Sequence, residues 1–458
     1  MKKFTLSIAF ILMTIISYGQ DFYVDASVGA SGDGLSAGTA FKTLAEGVSA
    51  ASDGNVVQVI GGTDLTPTTT INIIGKAITI QGVSDAVIDG ASSSSRLFKL
   101  NNLSPGNLTL KNLVVKNFNS SGEGAIAFVH KAATLTIEEC VILDNTALTD
   151  NSDIIPATKV GGALVIKTGT VTIKKSLFKG NESEGSQGGA IWINDASAVV
   201  TIENTTFYGN KAATDGGAIF NSNGSLTLTN ATIVGNSTDT SLAASGGVRV
   251  NGTGTITANN CIITGNSYTV SGAASDLYKA TGATGTINYS ILGKVGSGFT
   301  KNNSDENEVL TFSNEANVDN NTDQVLKYTI SDLPYQYGLA SYLSTLEDQL
   351  GFTRAGTGGV VDAGAFEFAA TLSIGSFELL ESGFAIYPNP VQSIATIVAP
   401  SVDAELVEIY SVIGKKVLEE EVVNGKAILD VQSLPAGIYI AKVEKGDRSV
   451  TKKFIVSK

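Results

Sequence analysis

Short runs in which every second residue is aliphatic recur along the chain. They are Ile78-Thr79-Ile80, Leu108-Thr109-Leu110, Leu135-Thr136-Ile137, Val171-Thr172-Ile173, Val200-Thr201-Ile202, Leu226-Thr227-Leu228 and Ile256-Thr257-Ala258. Side chains alternate faces along a strand, so this period predicts strands with the aliphatic residues inward and Thr outward. No 3.6-residue helical period competes with it. Two landmarks flank the runs. One is a glycine-rich start: Gly161-Gly162-Ala163-Leu164, Gly188-Gly189-Ala190-Ile191, Gly216-Gly217-Ala218-Ile219, Gly246-Gly247-Val248 and a weaker Gly124-Ala125-Ile126. The other is an Asn three residues after an apolar residue: Ile142 to Asn145, Phe178 to Asn181, Phe207 to Asn210, Ile233 to Asn236 and Ile263 to Asn266. The repeat length of about 26–36 residues is that of solenoid units.

One such unit cannot bury its own apolar face, whereas stacked units pair strand on strand about 4.8 Å apart and share a continuous core. The sequence therefore predicts an all-β chain: a right-handed parallel β-helix, a pectate-lyase-like solenoid, followed by a small C-terminal β-sandwich. Stacking places Ile142, Phe178, Phe207, Ile233 and Ile263 in one inward column and Cys140, Ser176, Thr205, Ala231 and Cys261 in a column of small residues at a bend. The terminal residues Asn145, Asn181, Asn210, Asn236 and Asn266 are expected to take left-handed backbone and to hydrogen-bond along the stack. Four coils separate the two cysteines, roughly 19 Å, whereas a disulfide needs Cα atoms within about 7 Å. Both are expected to be buried free thiols.

The glycine-rich starts and Phe178-Lys179-Gly180-Asn181 and Phe207-Tyr208-Gly209-Asn210 resemble the repeats of polymorphic outer-membrane proteins, over about residues 120–270. The resemblance implies a β-helical surface protein, several of whose relatives are adhesins. The chain lacks the large autotransporter barrel of those proteins, so their export route does not carry over. Phe22-Tyr23-Val24-Asp25 and Gly38-Thr39-Ala40-Phe41-Lys42-Thr43-Leu44 resemble the opening segment of secreted β-helix proteins, with a covering helix at Ala45–Ala51 and a first strand at Val56–Ile60. Gly351-Phe352-Thr353-Arg354 and Val361-Asp362-Ala363-Gly364-Ala365-Phe366-Glu367 resemble the closing segment of choice-of-anchor β-helix proteins. There Arg354 is expected to pair with Asp362 or Glu367 and cap the far end. Residues 295–345 lack the repeat and are expected to form a polar excursion with a short helix around Leu339–Asp348.

Composition shifts after Phe368. A linker, 369–383, leads into alternating strands over 384–458, with turn signals at Gly414 and Asn424-Gly425. Tyr387-Pro388-Asn389-Pro390, Ile409-Tyr410-Ser411-Val412-Ile413-Gly414-Lys415, Leu434-Pro435-Ala436-Gly437-Ile438-Tyr439 and the basic end with Lys452 and Lys453 resemble the type A sorting domain of type IX secretion cargo. The resemblance implies the type IX machinery as a partner, a Bacteroidetes-type bacterium, and removal of the domain with release or surface attachment.

The chain start fits this route. Lys2 and Lys3 precede an apolar stretch, Phe4–Ile16, and Ser17-Tyr18-Gly19 ends in a signal peptidase pattern, with cleavage between Gly19 and Gln20. The stretch is shorter than the roughly 20 residues of a membrane span. The β-helix is thus expected over 20–368. Over the whole chain, charged residues are few, 16%, beside 50 Gly and 8 Pro, which suits stacked short strands with tight turns. The net charge of −13 sets the protein against nucleic acid and anionic membranes.

Catalytic chemistry has little to draw on. Glu138 and Glu203 share an outward column but Lys174 lies between them, which reads as a solvated charge ladder. Asp144 stands where Gly180, Gly209, Gly235 and Gly265 stand in other coils. Arg249 is the one arginine of the central coils, with no acidic cluster nearby, and His130 is the one histidine, near a loop. No metal-ligand spacing appears, and neither cofactor nor metal is expected. The sequence favours a non-catalytic surface protein that presents a long face to glycans or other cells. The alternative is a polysaccharide lyase or glycoside hydrolase of the same fold. A lesser one is ice binding by outward Thr columns, in which Thr134, Thr170 and Thr255 flank the main column.

Overall fold

The computed structural model describes residues 20–457 apart from 92, 101–103, 149–159, 241–243, 269–274, 307, 309, 311, 313–325, 327–336, 344–346, 352, 355–359, 368–384, 388–390, 399–405, 412–414, 423–425 and 446–447. The expected signal peptide and its cleavage residue Gly19 lie outside the described residues. The chain divides into two compact units between Ala369 and Ala370.

The first unit is a parallel solenoid. Each full coil visits four sheets in turn. Sheet A runs in eleven strands from Asp21–Val24 to Thr300–Asn302, sheet B in eight from Val87–Asp89 to Ile291–Leu292, sheet D in six two-residue strands from Asn119–Ser120 to Ser267–Tyr268, and sheet C in eight from Ile71–Asn72 to Leu277–Lys279. All are in-register stacks, and the inward column pairs Ile142, Phe178, Phe207, Ile233 and Ile263 in succession. All five are fully buried, and the rings of Phe178 and Phe207 stack at 5.0 Å.

Sequence fixes the corners by sterics. Between sheets A and B, Lys175, Asn204, Asn230 and Asn260 adopt φ of 46–52°, and the next residues, Ser176, Thr205, Ala231 and Cys261, are small and buried on the inside of the bend. Between sheets B and D the left-handed residue is Asp144, Gly180, Gly209, Gly235 or Gly265, one position before the Asn that the sequence assigns to it. The Asn itself is freed to bond. Its backbone N–H and its Nδ2 both donate to Oδ1 of the Asn on the next coil, at 2.8–3.2 Å, from Asn145 through Asn181, Asn210 and Asn236 to Asn266. Each Nδ2 also donates to a carbonyl of the preceding coil, such as Phe178 for Asn210. At the end of the ladder Asp276 stands in for the missing Asn, accepting from Asn266 through Oδ1 and from the Lys294 N–H through Oδ2. Burial raises the pKa of that carboxyl.

The paired glycines at the start of sheet C have separate tasks. Gly161, Gly188 and Gly216 take φ of 63–70°. A Cβ on Gly162, Gly189 or Gly217 would lie 1.9–2.1 Å from a carbonyl oxygen of the next coil. Both cysteines are buried free thiols, each pushed up to about 12 by desolvation.

The two ends differ from the sequence expectation. The opening segment does more than lead to a first strand at Val56: Asp21–Val24 is itself the first strand of sheet A, parallel to Val56–Ile60. The covering helix spans Leu44–Ala50, starts on a capping box between Thr43 and Glu46, and buries Leu44 and Val48. At the other end the coil continues past 295, because Thr300–Asn302 still pairs with sheet A. No α-helix forms over the described part of Leu339–Asp348. Gly338–Leu339 is a strand paired with Val360–Val361, followed by a single 3-10 turn at Ala340–Tyr342.

The closing segment does not cap the far end. It lies as a strap along the bend between sheets A and B. Asn260 exchanges two hydrogen bonds with Leu339, Asn230 donates to the Asp362 carbonyl, Asn204 to that of Glu347, and Thr206 to Gln349. The cause is apolar surface: Val141, Leu177, Val234, Ile262 and Ile291 point outward near this bend and are buried with Ala363, Phe312 and Leu326. Arg354 pins the strap from a fully buried position. It donates to Glu367 at 3.0 Å, to Asn204 at 2.9 Å and to the carbonyls of Gly364 and Asp362. The expected pairing with Glu367 is present, but Asp362 contributes its backbone oxygen.

The second unit is a small antiparallel sandwich. A three-stranded sheet (Ala385–Tyr387, Ile394–Val398, Lys426–Asp430) and a four-stranded one (Leu406–Ser411, Lys416–Glu421, Gly437–Lys445, Arg448–Val456) share a core of Ile397, Val407, Ile409, Leu429, Tyr439 and Phe454. The Tyr439 hydroxyl donates to the Pro435 carbonyl at 2.9 Å. Gly437 opens its strand, and Lys452 and Lys453 are exposed on the last one. Pro388, Asn389, Pro390 and Gly414 lie outside the described residues.

Phe207 tests the register. Phe207→Ala removes a fully buried ring stacked on Phe178, and a loss of about 3–5 kcal/mol is expected. Denaturant unfolding followed by the fluorescence of the single tryptophan, Trp192, measures it. An unchanged midpoint would mean that this side chain does not face the core.

Candidate binding faces

Three long faces were available for a site, and the chain treats them differently. Sheet B is occupied by the strap. Sheet A is open. Its central outward column holds Thr in nine consecutive strands: Thr79, Thr109, Thr136, Thr172, Thr201, Thr227, Thr257, Thr286 and Thr300. The flanking column carries Lys111, Glu138, Lys174 and Glu203 in consecutive coils, with Lys111–Glu138 at 3.5 Å and Lys174–Glu203 at 3.3 Å. Each carboxylate thus faces a lysine. Lys174 lies between Glu138 and Glu203 in the column, so the two carboxylates form part of an alternating charge ladder. Further along the same column the charges give way to an amide ladder, with Asn302 donating to Asn288 and Asn288 to Asn259.

Sheet C concentrates the chemistry. The middle residue of each strand points outward, placing Lys99, Phe128, Val165, Trp192, Phe220, Arg249 and Tyr278 in one column over seven coils. Val165, Trp192 and Phe220 pack with Val160 into a buried apolar cluster outside the coil, with half-buried Phe128 at its margin. Cations lie on the rings: Arg96 4.9 Å from the Phe128 centroid, Lys167 4.4 Å from Trp192 and Arg249 4.3 Å from Tyr278. Such contacts hold a cation with about 0.5–2 kcal/mol, more as water is excluded.

Carboxylates complete the arrangement. Glu123 pairs with Lys167 at 3.2 Å, and Asp215 faces Arg249 at 3.3 Å. Arg249 has one acidic partner and not a cluster; coil stacking brings Asp215 to it from 34 residues away. The other oxygen of Asp215 accepts from the Gly216 and Ser245 N–H groups. Desolvation pushes Asp215 up to about 6, against the opposing pull of Arg249 and these hydrogen bonds. On the preceding coil Gln187 accepts from the Trp192 indole N–H at 3.3 Å. His130 sits at the Phe128 end, edge-on to that ring and bonded to the Thr168 hydroxyl. Asp144 stands apart, exposed beside Gly180. Among the described residues there is no metal-holding group of acids, His or Cys, and no helix long and apolar enough to cross a membrane.

Comparison with known proteins agrees with both units. Residues 385–457 match the family described as the secretion system C-terminal sorting domain. Residues 204–222 match the Chlamydia polymorphic membrane protein repeat; this stretch runs from the bend at Asn204 to the sheet C strand at Ile219–Asn221. Among solved structures the chain is similar to the pectin methylesterase of Aspergillus niger in deglycosylated form, at 13% identity and a TM-score of 0.30, over 63% of this chain and 85% of that one. No curated protein sequence matches it. The chain is a parallel β-helix protein that carries a type IX secretion sorting domain at its C-terminal side.

Proposed function

We propose that the solenoid, once exported, is a glycan-binding surface or secreted protein without catalytic activity, and that sheet C is its binding face. One observation carries this reading: the partly buried Asp215–Arg249 pair beside the half-buried ring of Tyr278. Sugars are recognised by that combination, because rings take up their C–H faces while a fixed carboxylate and guanidinium take up hydroxyls. The rings and charges are held in a rigid column, so little ordering cost attends binding. A hydrolase of this fold is the alternative. Its acid would be Asp215, which is partly buried and faces Arg249.

Screening the purified protein on a glycan array, with a reducing-end assay alongside, tests the reading. Arg249→Ala and Tyr278→Ala are expected to lose binding at least about tenfold, roughly 1.4 kcal/mol, with no reducing ends released by any form. Undiminished binding in both variants would remove sheet C from the account. Release of reducing ends that is lost in Asp215→Asn would make the protein an enzyme.

Export is the second part of the proposal. A Bacteroidetes-type cell would remove residues 1–19, pass the chain to the type IX machinery, and cleave the sorting domain. Truncation after Glu381 should leave a folded solenoid in the periplasm, whereas the full chain reaches the surface or medium and loses about 8 kDa, the mass of a 75-residue domain. Equal delivery of the truncated chain would show that the domain serves another purpose.

A further inference from the structure

A cleft opens at the N-terminal end of the solenoid, away from sheet C. It has a volume of about 420 Å3 and lies between the cap, at Ala26 and Lys42–Ala45, and the loop Thr63–Ile71 that joins the second strand of sheet A to the first of sheet C. This size falls within the range of about 300–1,000 Å3 for small-molecule sites.

Both walls are fixed before any ligand arrives. On the cap side, the capping box between Thr43 and Glu46 holds the start of the helix. On the loop side, the Leu65 N–H donates to the Val87 carbonyl at 3.0 Å, and the Leu65 carbonyl accepts from Asp89 at 2.8 Å. Pro67 further restricts the loop backbone. The lining has two characters. Leu44, Leu65 and Ile71 are 1–7% exposed and present an apolar floor. Around them stand the exposed residues Thr63, Thr66, Thr68 and Thr69. Among the described residues, none of these four hydroxyls bonds to another protein group.

Charge narrows the ligand class. Lys42 lines the cleft, its ammonium donating to the Gly29 carbonyl at 3.4 Å. Asp64 supplies one carboxylate, already paired with Lys116 at 3.2 Å. An anion would meet Asp64 and the field of a chain of net charge −13. A hydroxyl-bearing ligand can bond directly to the Thr rim, which a purely apolar ligand cannot. A neutral polyol with one C–H-rich face satisfies floor and rim together. We infer that this cleft is a second binding site, for a neutral sugar of one or two pyranose rings. The inference is independent of the sheet C reading, since the two sites share no residue.

Calorimetric titration of the full chain tests it, with neutral hexoses and their disaccharides on one side and glucuronate on the other. At least one neutral sugar is expected to bind with a Kd below about 10 mM. Thr66→Val with Thr68→Val should weaken it at least tenfold, and Lys42→Ala, a second variant on the opposite wall, should weaken it as well. Arg249→Ala should leave it unchanged, which separates this site from sheet C. The thermal midpoint of each variant, followed by Trp192 fluorescence, controls for folding. The inference is overturned if no neutral sugar binds, if both cleft variants bind like the parent, or if glucuronate binds more tightly than every neutral sugar.

Discussion

The solenoid depends on one buried interaction repeated coil after coil: the asparagine amide that closes the corner between sheets B and D. A corner buried in a stack has backbone N–H groups with no strand partner of their own, and each left unsatisfied would cost about 1–3 kcal/mol. Asn210 shows how the problem is solved. Its Oδ1 accepts from the backbone and the side chain of Asn181, while its own backbone and Nδ2 donate to Asn236 and its Nδ2 also reaches the Phe178 carbonyl. Every polar atom of the side chain is used, and the coil spacing is fixed by a hydrogen bond as well as by packing. The columns of Phe, Ile and Val then stack because the corners hold them in register.

That constraint explains why the fold was legible in the sequence. Asn three residues after an apolar position, and paired glycines before the next strand, are the marks that stacked corners leave on a chain. The finer geometry was less legible. The left-handed residue precedes the Asn, since a residue that donates twice along the stack needs its own backbone extended; Gly180 and Gly209 carry the trace of this. The strap was misplaced because its partners are Asn204, Asn230 and Asn260, residues that a pattern reading assigns simply to turns. Their side chains face outward at the bend and need an acceptor or donor from elsewhere in the chain.

The proposed binding face was the least legible part. Arg249 looked isolated because its acid, Asp215, lies one coil away, immediately before a glycine turn. Trp192, Phe128 and Tyr278 sit at the centre of three-residue strands, where an outward ring cannot be distinguished by period from an inward one. Extending the register from sheet A through to sheet C would have aligned them. The same stacking that builds the core therefore also builds the site: it brings residues tens of positions apart to about 4.8 Å spacing on one side of the molecule. The strap and the apolar cluster add a division of labour, with one flank closed, one flank chemically equipped, and the Thr-lined face left open.

The register of the whole stack is the premise on which the proposed sheet C site rests, and a distance measurement reaches it most directly. Thr79 and Thr286 occupy the same outward column, seven coil steps apart. Spin labels on Thr79→Cys and Thr286→Cys should give a single distance near 34 Å, from about 4.8 Å per step; the native cysteines are buried and stay unlabelled in the folded protein. A distance under about 25 Å, or a broad distribution spanning several coil spacings, would contradict the stacked-coil account.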